Sequence, residues 1–171
     1  MKIKRISLIV IFIVVLIICA ISIIYIINQN RNDENAAINL YKKIIDLTIS
    51  ENGGLSENNE YISLVVNDIV DPLNGQKFSS DARQELLNYC KKYNGTIYEK
   101  DHKELLEDGL GDDVKLKGCL ITITLSSKSN NKATIYSKIY KGNMGSSMSK
   151  YYIKYNNKVW TYEDSGDKVQ S

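Results

Sequence analysis

The chain has 171 residues, 43% of them apolar and 25% charged, and its 22 basic and 20 acidic side chains give a formal net charge of +2. Without the three basic residues of the first five positions, 19 bases face 20 acids, so the overall charge gives no support for a nucleic-acid partner. One histidine and three scattered cysteines give no support for a zinc site, and no metal or cofactor is expected.

The first element is apolar. From Ile6 to Ile27 there are 22 residues without a charge, a helix of roughly 33 Å against a hydrocarbon core of about 30 Å. Lys2, Lys4 and Arg5 precede it, and Arg31 beyond it is offset by Asp33 and Glu34. The positive-inside bias therefore places residues 1–5 in the cytoplasm and the rest of the chain outside. A cleaved signal peptide is the competing reading, but its apolar region usually covers about 7 to 15 residues before small residues. Here the run continues past Ala20-Ile21-Ser22 into more isoleucine, which favours a retained single-pass anchor in the cell membrane. Cys19 reads as an apolar residue of that span.

Residues 28–34 read as a polar linker, and residues 35–171 as one extracytoplasmic domain. Its charge is uneven: Asp46 to Asp113 holds 15 acids and six bases, whereas Val114 to Tyr162 holds nine lysines and no acid. Such blocks either complement each other as solvated faces or present an acidic and a basic surface to partners.

Helical spacing is expected from Asn35 to Ser50, with Ala37, Leu40, Tyr41, Ile44, Ile45 and Thr48 on one stripe and Gly53-Gly54 as its stop. "YISLVV" (Tyr61 to Val66) suggests a short strand, and Pro72 with Asn74-Gly75 a turn. A helix capped by Ser79 or Ser80 should bury Ala82, Leu86, Leu87, Cys90 and Tyr93, with Asn94-Gly95 as a left-handed stop. Asp101 and Glu104 form a capping box that opens a two-turn helix ending at Gly109.

From Lys117 the period becomes two. Cys119, Ile121, Ile123 and Leu125 mark one face of a strand, and after a polar "SKSNNK" loop Ile135 and Ile139 mark the next. "KGNMGSSM" is a turn. "KYYIKYNNKVWTYE" then folds as a hairpin about Asn156-Asn157, pairing Tyr155 with Lys158, Ile153 with Trp160 and Tyr151 with Tyr162. Tyr151, Ile153, Trp160 and Tyr162 share the apolar face. Lys150, Tyr152, Lys154, Val159 and Thr161 share the other, and Tyr136, Lys138 and Tyr140 of the neighbouring strand extend it into a lysine and tyrosine patch.

Helices first and an antiparallel meander last imply an α+β domain, with helices on one face of a curved antiparallel sheet of about four strands. The order helix, helix, short helix, then strands closing on "KYNNKVW" resembles the nuclear-transport-factor-2-like and cystatin-like domains. It also resembles small membrane-anchored extracytoplasmic proteins of Gram-positive bacteria, whose chains often close on a Tyr-Lys-Asn-Gly-Lys-Trp hairpin, with Asn157 here in place of the glycine. The resemblance covers residues 35–171 and implies a cone-shaped pocket used for catalysis, ligand binding or dimerisation. No catalytic residue carries over.

His102 beside Asp101 lacks a recognisable nucleophile motif and reads as an exposed first-turn residue. "DGLGDD" (Asp108 to Asp113) matches no calcium loop and reads as a helix stop. Cys90 and Cys119 both fall on expected core faces, where a disulfide and two buried free thiols are the alternatives. The function expected is a non-enzymatic interaction or sensing module whose partner is an extracytoplasmic protein. The alternatives are a binder of anionic envelope polymer or lipid headgroups, and a cone-pocket enzyme.

Overall fold

The computed structural model describes residues 2–52, 59–66, 69–112, 115–142, 145–165 and 169–170. The chain divides into two compact units, Met1–Asp33 and Glu34–Ser171, and helix α1 (Lys2–Glu51) contributes to both. In the first unit the large apolar side chains from Phe12 to Ile27 are exposed, and the helix is long and apolar enough to cross a membrane. An N-terminal signal sequence, or the core helix of a soluble protein, meets the same criteria of length and composition. Residues 28–34, expected as a linker, are helical. The stretch has no Gly or Pro to break the turn, and Gln29 Nε2 donates to both carboxylate oxygens of Asp33 at 3.2 Å, one turn on. The expected Gly53-Gly54 stop lies outside the described residues.

In the second unit α1 buries Ala37, Ile38, Tyr41, Ile44, Ile45, Thr48 and Ile49, the three-and-four spacing of one helical stripe. The stripe packs with one face of a sheet built from β1 (Ile62–Val65), β2 (Ile97–Tyr98), β3 (Cys119–Ser129), β4 (Lys132–Lys141), β5 (Ser146–Asn156) and β6 (Val159–Ser165). Their order is β2-β1-β3-β4-β5-β6, with β7 (Val169–Gln170) also paired to β5. The domain is thus α+β, as expected, but its sheet is larger than the four antiparallel strands read from the sequence. It is also mixed, because β1 runs parallel to both β2 and β3.

The reason is the path between β1 and β3. Helix α2 (Ser80–Cys90) returns the chain to β2, and α3 (His102–Glu107) returns it to β3, and each crossover lets the next strand run parallel to β1. A strand flanked on both edges and covered on both faces loses its alternation, and Ile62, Ser63 and Leu64 are all fully buried. Helices are not confined to one face. Leu105 of α3 packs with Tyr61, Leu116 and Leu120 as a second core on the opposite side from α1, with Tyr140 against it. Gly118 fits there because a Cβ would lie 2.5 Å from the Tyr61 carbonyl oxygen.

Local signals hold where short-range chemistry sets them. The Ser79 side chain caps α2 by accepting from the Ala82 N–H, and Asp101 and Glu104 form the reciprocal capping box of α3. The Pro72 turn closes with Gly75 at φ 76. Asn94-Gly95 is not a left-handed stop: α2 ends at Cys90, with Lys91 in the right-handed region, and Asn94 instead bonds Asn59 O and Thr96 N. "SKSNNK" is not a loop either. β3 runs to Ser129 through a bulge between Leu125 and Ser127, leaving Asn130-Asn131 as the turn. "KGNMGSSM" is a shorter turn than expected, since β5 begins at Ser146.

The last hairpin turns one residue later than expected. Asn157 and Lys158 hold the two turn positions at φ 49 and 62, pairing Asn156 with Val159, Tyr155 with Trp160 and Ile153 with Tyr162. The later turn brings the Tyr155 and Trp160 rings within 5.0 Å. Such a contact, about 0.5–1.5 kcal/mol, offsets much of the left-handed cost at Lys158 of about 1–2 kcal/mol. Moving the turn by one residue shifts the pairing by two, so each side chain keeps its face. Tyr151, Ile153 and Trp160 are buried, while Tyr152, Val159 and Thr161 point out.

Candidate binding surface on the outer sheet face

Strand alternation sorts β4 cleanly. Ala133, Ile135, Ser137 and Ile139 are buried against α1 and its neighbours, so Lys132, Thr134, Tyr136, Lys138 and Tyr140 face the other way. On β5 the outward set is Met148, Lys150, Tyr152 and Lys154, and the register places Tyr136 opposite Lys150, Thr134 opposite Tyr152 and Lys132 opposite Lys154. Tyr136, Lys138, Tyr140, Lys150, Tyr152 and Lys154 therefore share one face.

Their side chains interlock. The Lys150 ammonium sits 4.8 Å from the Tyr152 ring centre and 5.8 Å from that of Tyr136, and Lys138 lies 4.4 Å from the Tyr140 ring centre. A hydrogen bond with the Tyr152 side chain raises the Lys150 pKa above its ordinary value. Among the described residues, no carboxylate lies within ion-pair distance of Lys138, Lys150 or Lys154. Lys132 reaches Glu163 at 3.8 Å. At this end an open hollow of about 210 Å³ is lined by Ser127, Ser129, Lys132, Thr134, Tyr152 and Glu163, among others. At the other end the His102 ring lies 6.1 Å from that of Tyr140.

The remaining chemical candidates are dispersed. His102 is exposed at the start of α3. In "DGLGDD" Asp108 pairs with Lys100, Asp112 accepts from the Lys115 N–H, and Gly109 turns at φ 72, while Asp113 lies outside the described residues. No group of three or more metal-binding side chains occurs among the described residues. Cys90 and Cys119 are buried in one core as free thiols, and burial pushes both pKa values up to about 12.

Two polar clusters do not stand out in the sequence. Inside the core, Thr48 Oγ1 lies 2.7 Å from Ser137 Oγ and 3.3 Å from the Tyr151 hydroxyl, and it also donates to Ile44 O. The inner face is thus not wholly the apolar lining implied by Ile121, Ile123, Ile135, Ile139, Tyr151, Ile153 and Trp160. Ser137 midway between Ile135 and Ile139 was the available signal. The second cluster ties α1 to α2: Asp46 accepts from Tyr89, Tyr93 and Lys92 at 2.7 to 2.8 Å. Burial raises the Asp46 pKa, but the bonds from Lys92, Tyr89 and Tyr93 outweigh that and hold it below its ordinary value. The spacing of Tyr89, Lys92 and Tyr93 on successive turns was its signal.

No protein-family model matches the chain, and neither a curated protein nor a solved structure shows significant similarity to it.

Proposed function

We propose that the chain is a single-pass membrane protein whose N-terminus is cytoplasmic and whose α+β domain works outside as a non-enzymatic interaction or sensing module. The exposed apolar stretch of α1 supports the anchor, and Lys2, Lys4 and Arg5 ahead of it support the orientation. The resemblance to nuclear-transport-factor-2-like and cystatin-like domains is kept as part of the proposal. A helix packed on a sheet with long antiparallel strands agrees with it, and the parallel β1 and β2 depart from the order expected.

One observation carries the functional reading. The outer face of β4 and β5 holds Lys138, Lys150 and Lys154 without carboxylate partners among the described residues, two of them stacked with tyrosine rings. Charges held in place and left uncompensated suit the recognition of an external partner. In-cell crosslinking and mass spectrometry of the full-length chain, beside a Lys138→Glu, Lys150→Glu, Lys154→Glu variant, tests this. A partner captured by the wild type and lost in the variant is the expected result, and identical captures in both would move the interaction surface elsewhere.

A further inference from the structure

Resting on that outer-face reading, we infer that the partner is a linear anionic glycan, a sugar chain bearing carboxylate or phosphate groups, laid across β4 and β5. Charge complementarity is the first argument. Lys132, directly opposite Lys154 on the adjacent strand, is offset by Glu163 at 3.8 Å, so among the described residues the uncompensated charge on this face is that of Lys154, Lys150 and Lys138. Lys150 between its two tyrosines continues the positive track along the same face.

The second argument separates a glycan from other polyanions. The hollow at the end of the track is lined by Ser127, Ser129 and Thr134, whose hydroxyls can donate and accept hydrogen bonds and so match a polyol, and by Glu163, which is paired with Lys132 and accepts from sugar hydroxyls. The half-exposed Tyr152 ring beside it offers a flat apolar surface to a sugar face while its hydroxyl stays polar. A protein partner fits less well, because lysine is depleted from the cores of protein interfaces. A bilayer surface also fits less well: among the described residues Tyr152 is the one exposed large apolar residue on β4 and β5, and Val159 on neighbouring β6 gives no wedge to insert.

The test uses the full-length chain in phosphatidylcholine nanodiscs, with polygalacturonate as the probe, polyglutamate matched in charge and length, neutral dextran, and phosphatidylglycerol vesicles. Polygalacturonate is expected to bind more tightly than the other three, and to weaken as salt rises from about 0.05 to about 0.3 M. A Tyr136→Ala, Tyr152→Ala variant should weaken it about tenfold and weaken polyglutamate, which has no sugar face to stack, by a smaller factor. Equal binding of polyglutamate and polygalacturonate, or a preference for the vesicles, overturns the glycan and leaves the outer face as the site. Absence of binding by every probe overturns the glycan as well. The outer-face reading falls separately, through crosslinked partners that persist in the triple lysine variant, whose unfolding midpoint serves as the control for folding.

Discussion

The two faces of β4 make different uses of neighbouring residues. Ile135 is fully buried and Tyr136 beside it is partly buried next to Lys150; Ser137 is fully buried against Thr48 and Lys138 beside it is stacked on Tyr140. On the inner face each polar group of the Thr48, Ser137 and Tyr151 cluster has a partner, whereas on the outer face three ammonium groups have no anionic one among the described residues. A buried hydroxyl stabilises only when it is paired, while an exposed lysine costs little without a partner and stays available for one.

The largest test of this contrast is a pair of adjacent truncations. Ile135→Ala should lower stability by about 3 kcal/mol by leaving a cavity, and Tyr136→Ala by less than about 1 kcal/mol, as measured by denaturant unfolding of the full-length chain. Comparable losses would mean that the outer face is also structural. Next in size, Thr48→Val removes the hydroxyl shared by Ser137 and Tyr151 and should cost about 1–2 kcal/mol.

A smaller effect depends on pH. Asp46 titrates below its ordinary value of 3.8, so its contribution is fully present above that pH and is lost as pH falls through the lower folded value. The unfolding midpoint of the wild type should therefore exceed that of Asp46→Asn near neutrality, and the gap should narrow below about pH 4. A constant gap would place the stabilisation elsewhere. Its size is modest, because the Asp46 and Lys92 side chains are 39% and 41% exposed.

The smallest effect is at the hairpin, where Lys158→Gly should raise stability by about 0.5 kcal/mol by relieving φ 62. The same turn shows what a sequence discloses of this fold. Asn157 and Lys158 in place of Asn156 and Asn157 changed every pair in the hairpin, yet parity kept Tyr151, Ile153 and Trp160 inside and Tyr152 outside. The six outer residues were therefore placed together from alternation alone. Caps at Ser79 and Asp101 were readable because their chemistry spans three residues. The parallel pairing of β1 was not, because strands of four and two residues carry no period and their partners lie tens of positions away. For the same reason α3 gave no sign of the face it covers, and the Asp46 cluster none of its long-range closure.

The central claim is that function resides on the outer face of β4 and β5 while the inner face holds the fold. Site-specific photocrosslinking in cells measures this most directly, with a benzophenone amino acid placed at Tyr152 on the outer face or at the exposed Gln84 of α2. The account predicts a discrete adduct from position 152 and none from position 84. An adduct from position 84 alone would contradict it.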